Sequence, residues 1–203
     1  MIQLEKREWC EFWWEETGPS PKKRILLIGD SITKGYYPYV KERLQNEAVV
    51  DKLATSKAVG NPSLLRELDY MLRHPIGYRY DAVHFNNGLH GQHLSVEEYE
   101  RGMEEVIRYV VEAGPPFIVL ALCTPVTEVK APDRLDAKVN AMVMERNQAV
   151  RQLAAQYALS LNDLYTPMLG RSEYGAGDGY HFNEQGRQAQ AELTAQAIMA
   201  AIV

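Results

Sequence analysis

Short apolar runs alternate along the chain with longer segments of helical period. Arg24-Ile-Leu-Leu-Ile-Gly29 is a continuous apolar run closed by glycine, the pattern of a strand buried on both faces. Tyr36 to Gln45 reads as the helix that follows, with Pro38 in its first turn, where a missing N–H costs little. Ala48 to Leu53 reads as a second strand. Asn61-Pro62-Ser63 then opens a helix through Arg73, with a capping residue and proline at the first helical position. Asp81 to Asn86 is a third strand, followed by a loop from Asn87 to Leu94. Ser95 caps a helix to about Ala113, with Glu98 at the capping-box position. Phe117 to Leu122 is the most apolar strand. A polar loop with Pro125 and Pro132 leads to a long helix from about Asp136 to Tyr157. Ala158 to Asn162 closes the strand set, and Asn183 caps a last helix to about Ile202.

Strands alternating with helices imply right-handed crossovers and a parallel sheet. The expected fold class is α/β, a three-layer α/β/α, flavodoxin-like architecture on an about five-stranded parallel sheet. Ligands of such sheets bind at the carboxyl ends of the strands, so chemistry is sought in the loops after Gly29, Leu53, Asn86, Leu122 and Asn162.

The 203 residues suit a single domain, with residues 1 to about 22 as an aromatic-rich N-terminal extension set apart by Gly18-Pro-Ser-Pro21. With 22 basic and 27 acidic side chains the net charge is −5, which offers no footprint for a nucleic-acid backbone. No apolar stretch reaches the length needed to span a bilayer, and the start lacks the features of a signal peptide. Two cysteines, Cys10 and Cys123, imply no disulfide framework, so a reducing, cytoplasmic setting is expected.

Two loops carry candidate chemistry. In Gly29-Asp30-Ser31-Ile32-Thr33 the serine falls at a strand's carboxyl end and a helix's amino end, where a hydroxyl faces a cleft among backbone N–H groups. The plainer alternative makes Ser31 a helix cap. Far along the chain, Gly177-Asp178-Gly179-Tyr180-His181 sits in a glycine-rich turn before the last helix. There a carboxylate can reach the near nitrogen of an imidazole and leave the far one to take a proton from a serine. That is the logic of a Ser-His-Asp triad, defined by geometry and not by chain order.

On these motifs the chain resembles the GDSL or SGNH hydrolases, esterases and lipases of flavodoxin-like fold, from about Arg24 onward. The resemblance implies Ser31 as nucleophile, His181 as general base and then acid, and Asp178 as the residue orienting it. It also implies an oxyanion hole from the N–H groups of Ser31 and Gly60. The family's Gly-x-Asn-Asp block stands here as Gly88-Leu89-His90-Gly91, so His90 takes the place of the asparagine donor. A neutral imidazole can donate one N–H. Asn86 or Asn87 is the alternative donor. The function implied is serine-dependent hydrolysis of carboxylic esters through an acyl-enzyme, on short acyl or acetyl esters including those on carbohydrates. No cofactor and no metal is required. An acyltransferase and a non-catalytic binding member of the fold are the rival readings.

Asp30, Asn87, His93, Thr124 and Pro125 are further candidates for lining the substrate cleft. His84, His90 and His93 invite a zinc reading, but alternation puts His84 inside a strand while the others lie beyond it. The loop from Pro125 to Asp136 suits a lid or rim, or an ordinary surface connection. Arg146 and Asn147 could reach the site or stay on the helix surface. Trp9, Trp13 and Trp14 are expected in an N-terminal helix packed on the sheet's flank, with a homo-oligomer contact as the second reading.

Overall fold

In the computed structural model, which describes residues 3–74 and 78–202, the run at Arg24 becomes β2 (Lys23–Gly29), the centre of a six-stranded sheet. Around it lie β1 (Cys10–Trp13), β3 (Ala48–Thr55), β4 (Ala82–Phe85), β5 (Phe117–Ala121) and β8 (Ser160–Asn162), in the spatial order β1-β3-β2-β4-β5-β8. The four pairings among β3, β2, β4, β5 and β8 are parallel, and β1 alone runs antiparallel, on β3. The chain steps outward from β2 to β3 and returns to β4 on the other side. The order therefore reverses between β2 and β4, where α/β sheets of this kind open a crevice.

Alternate side chains of β2 feed two separate cores. Leu26 and Ile28 point toward α2 (Pro62–Leu72), α3 (Val96–Ala113) and the inner face of α4 (Ala137–Gln156). Ile25 and Leu27 point toward α1 (Ser31–Arg43) and α5 (Glu184–Ile202). All four are completely buried, each side chain contributing about 1.5–3 kcal/mol relative to exposure. The result is the three-layer arrangement expected.

Three local expectations are corrected. The N-terminal aromatic segment is not a helix but the edge strand β1. Cys10, Phe12 and Trp14 alternate onto the face covered by α2, where Phe12 and Trp14 meet the Tyr70 ring at 4.8 and 5.6 Å. Glu11 turns the other way to pair with Lys34 and Lys52. The first helix does not start at Tyr36: Asp30 caps it with Oδ1 accepting the Ile32 N–H at 2.8 Å, so it begins at Ser31 and Pro38 falls in its interior. Ser31 is thus the first helical residue and not the cap. Finally, the loop from Pro125 to Asp136 folds into a small antiparallel pair, β6 (Thr127–Glu128) and β7 (Ala131–Leu135). Among the described residues no helix is long and apolar enough to cross a membrane.

Candidate active site

Ser31 and the turn before α5 meet across the carboxyl end of the sheet. Ser31 Oγ lies 2.8 Å from His181 Nε2, and His181 Nδ1 lies 2.6 Å from Asp178 Oδ2. With the ring proton on Nδ1, the serine hydroxyl donates to Nε2 while the far side of the ring donates to the carboxylate. The turn is shaped by Gly177 and Gly179, both left-handed at φ 89° and 90°. A Cβ on Gly179 would stand 2.5 Å from the Thr127 carbonyl oxygen, so only glycine fits there. The β6–β7 connection buttresses this turn. The Thr127 N–H donates to the Gly179 carbonyl at 2.9 Å, and the Lys130 N–H to that of Gly177 at 2.8 Å.

Asp178 is held as an anion. Partial burial pushes its pKa up, but the His181 N–H, the His181 ring and the Tyr180 N–H donating to it outweigh that and bring it down to about 2. Asp30, by contrast, is completely buried, and burial raises its pKa against the opposing pull of the His90 and His181 imidazoles. Its side chain caps α1 and has no surface to offer a substrate. Thr124 is likewise buried, with Oγ1 unpartnered, and Pro125 is buried against the cavity behind β7.

Two backbone N–H groups in the loops at this end of the sheet lack a protein acceptor among the described residues. The Ser31 N–H is the first of its helix and, like that of Gly60, makes no hydrogen bond among the described residues. Gly60 is exposed and left-handed at φ 81°, in the turn after β3. That turn rests on α3 at Gly102, where a Cβ would come within 2.8 Å of the Gly60 nitrogen and 3.0 Å of the Val59 carbonyl carbon.

The loop after β4 is fastened from within. Arg146, 1% exposed, donates to the carbonyls of Gly88 and His90 at 2.8 Å and of Gly91 at 2.6 Å, with its guanidinium over the Tyr99 ring at 4.7 Å. The Tyr99 hydroxyl donates to the Asn87 carbonyl. The asparagines weighed as oxyanion donors are engaged elsewhere. Asn86 Nδ2 donates to the carbonyls of Ala121 and Leu122 at 3.1 Å, binding β4 to β5, and Asn87 Nδ2 donates to the Lys57 carbonyl at 2.8 Å. His90 remains at the loop's partly exposed tip. His84 is completely buried in β4, its Nε2 accepting from Asn162 at 3.0 Å, and burial lowers its pKa to about 3. Among the described residues no three ligating side chains converge on a metal position.

The sequence motifs do not point to Tyr99 or Gly102 and leave Arg146 and Asn147 undecided, yet all four shape these loops. Asn147 receives the Cys123 N–H at 2.8 Å and donates to the Cys123 carbonyl at 3.0 Å, ending β5 where the cleft begins. The visible signal was polar residues on the buried stripe of α4.

A doubly wound sheet with a serine, an imidazole and a carboxylate in hydrogen-bonded series at its switch point defines the hydrolase type of α/β protein. The profile of the GDSL-like lipase/acylhydrolase family matches residues 27–189, and the chain belongs to that family. An acetylxylan esterase of Xylanibacter ruminicola is 27% identical over 189 residues, 92% of this chain. The chain spans only 36% of that relative's length. Among solved structures, a lipase/acylhydrolase from Enterococcus faecalis superposes with a TM-score of 0.69 at 20% identity, covering 88% of this chain and 96% of the other. A catalytic mutant of an acetylxylan esterase from Geobacillus stearothermophilus gives 0.64 at 18% identity, covering 89% and 94%. These likenesses confirm the three-layer fold.

Proposed function

We propose that this protein is a serine-dependent carboxylic ester hydrolase acting on short acyl groups, acetyl above all, carried by hydroxyl-rich alcohols such as carbohydrates. The hydrogen-bonded series Ser31–His181–Asp178 carries the reading. Ser31 Oγ attacks the ester carbonyl carbon as His181 Nε2 takes its proton, and Asp178 steadies the imidazolium that forms. The carbonyl oxygen becomes an oxyanion facing the N–H groups of Ser31 and Gly60, with His90 as third donor, each such donor worth about 3–4 kcal/mol. The tetrahedral carbon then expels the alkoxide, which takes the proton from Nε2 and leaves as an alcohol. Water, deprotonated by the same nitrogen, attacks the acyl-Ser31 carbon and releases the acid.

A polar alcohol has room in a cavity of about 400 Å³ beside Gly60, lined by Ala58, Val59 and Leu94 together with Gln3, Asn61, His93 and Glu98. Its amides, imidazole and carboxylate offer hydrogen-bond partners to hydroxyl groups. The acetylxylan esterases among the relatives point the same way. The test is hydrolysis of p-nitrophenyl acetate and of acetylated xylo-oligosaccharides. Wild type should turn over both and Ser31→Ala neither, and activity in Ser31→Ala equal to wild type would end the reading.

A further inference from the structure

Because β1 runs antiparallel to β3, with Cys10 opposite Thr55, the residues ahead of it lie at the carboxyl end of the parallel strands. That is the end where such sheets bind ligands. Gly29 pairs with Ala54, so two residues further on Ser31 and Ser56 leave neighbouring strands at the same level. Ser56 is where the N-terminal segment is moored. The Trp9 N–H donates to Ser56 Oγ at 2.9 Å, and the Ser56 N–H donates to the Trp9 carbonyl at 3.1 Å. Glu8 accepts the Ser56 hydroxyl at 3.0 Å and the Glu5 N–H at 2.8 Å, and pairs with Lys57. Glu5 Oε1 accepts the Gly91 N–H at 2.7 Å. The segment thus crosses from the loop after β3 to the loop after β4 and is hydrogen-bonded to both.

Two residues ahead of Glu5, Gln3 forms part of the wall of the cavity of about 400 Å³ that Gly60 and His93 also line. That volume falls in the range of small-molecule sites, about 300–1,000 Å³. Two of the polar side chains around it are committed to helix ends. Asn61 Oδ1 accepts the Ser63 N–H at 3.0 Å, and Glu98 Oε2 accepts the Ser95 N–H at 2.9 Å. Among the described residues the side chains of Gln3 and His93 make no hydrogen bond. A primary amide carries two donors and an acceptor, the complement of neighbouring hydroxyls that each donate and accept. Carried on a segment already fixed by its own hydrogen bonds, such a group holds a ligand at a small ordering cost.

We propose that Gln3 is a specificity-determining residue, which hydrogen-bonds hydroxyl groups of the ester's alcohol part in the cavity beside Gly60. Glu5 is the positioning residue that keeps Gln3 there, by fastening the segment to the Gly91 N–H. This rests on the esterase reading above and deepens it, by naming the residues that choose the alcohol. The segment lies ahead of residues 27–189, so the selecting wall is outside the stretch matched by the family profile. The nucleophile, base and orienting carboxylate lie within that stretch or next to the turns it contains, and the N-terminal segment adds selectivity to them.

The test compares an acetylated xylo-oligosaccharide with p-nitrophenyl acetate, whose leaving group carries no further hydroxyl. Gln3→Ala should lower the ratio of kcat/KM for the oligosaccharide to that for the aryl ester about 5–10-fold, chiefly through KM. Glu5→Ala, which frees the segment from Gly91, should lower the same ratio. Gln3→Ala added to Glu5→Ala should cost less than about 2-fold more, because the amide is no longer held in place. Binding is read without turnover in Ser31→Ala, whose Kd for the oligosaccharide should rise about 5–10-fold when Gln3→Ala is added. A ratio unmoved by Gln3→Ala, losses in Gln3→Ala and Glu5→Ala that simply multiply, or an unchanged Kd would each overturn the proposal. A wild type inert toward both esters would instead overturn the esterase reading, and the Kd would still decide whether Gln3 holds the oligosaccharide.

Discussion

The two halves of the site are built on opposite terms. The acid–base turn from Gly177 to His181 is local and open, with the Asp178 and His181 side chains 53% and 43% exposed. It is shaped by its own glycines and by hydrogen bonds between residues three apart. The loop from Asn86 to Gly91 is almost wholly buried. It draws its shape from Tyr99 on α3, Arg146 on α4 and Glu5 ahead of β1, all distant in sequence except Tyr99. The difference follows from the tasks proposed for them. A group that exchanges protons with substrate and water must be reachable, whereas donors to a transient negative charge work best when fixed in advance and shielded from solvent.

Breaking the open half should have the largest effect. Asp178→Asn keeps the shape of the side chain but offers an amide where the His181 ring needs an acceptor, inviting the wrong tautomer. A loss of about 10⁴ in kcat is expected with an unchanged fold, by analogy with the same change in a well-studied triad. The pH profile of the wild type sharpens the point. Because Asp178 stays ionised down to about 2, its contribution to folding is present above the ordinary carboxylate range and is lost only as pH falls toward that value. The acid limb of kcat/KM should therefore fall with the slope of one proton, the one that blocks His181 as base. A two-proton slope would show that Asp178 titrates with it.

The same division separates what could be read from the sequence from what could not. Ser31, Asp178 and His181 lie in short motifs whose glycines set the local backbone, and the structure joins Ser31 and Asp178 through hydrogen bonds to the two nitrogens of His181. The central strands were legible because both faces are buried and the apolar runs are unbroken. β1 was misread because Trp13 and Trp14 are adjacent, and the pair hides the period of two by which Cys10, Phe12 and Trp14 face inward. Pro38 misled in another way. A proline argues against the interior of a helix, yet the cap at Asp30 begins the helix early and the tertiary packing of Tyr36, Tyr37 and Val40 carries it through. Arg146 left a trace, a cation on the buried stripe of α4. Its carbonyl partners depend on how α4 docks, which no local pattern encodes. Glu5 left none.

Breaking the buried half should act on rate and stability together. Arg146→Met fills much of the volume but leaves the carbonyls of Gly88, His90 and Gly91 without donors. A stability loss of about 2–4 kcal/mol is expected from those unpaired groups. A drop in kcat of about 100-fold should accompany it at temperatures where the variant remains folded, as the loop bearing His90 loosens. Denaturant unfolding and steady-state kinetics on one preparation separate the two. A variant that loses stability but keeps kcat would show that the loop's shape does not matter to the reaction.

The smallest effect should come from Gly102→Ala, and it is the most discriminating. The added methyl would press within 2.8 Å of the Gly60 nitrogen, so the turn must shift by a few tenths of an ångström or more. Overpacking of this kind costs about 1–3 kcal/mol, while alanine for glycine inside a helix returns about 1 kcal/mol. The net is a loss of up to about 2 kcal/mol, and the melting temperature should fall by several degrees. The Gly60 N–H, however, would be displaced, and if it serves as the proposed oxyanion donor it loses part of its hold. A fall in kcat of about 10-fold at nearly constant KM is expected. An unchanged kcat would remove the Gly60 N–H from the donor set and leave the stabilisation of the oxyanion to Ser31 and to the buried loop alone.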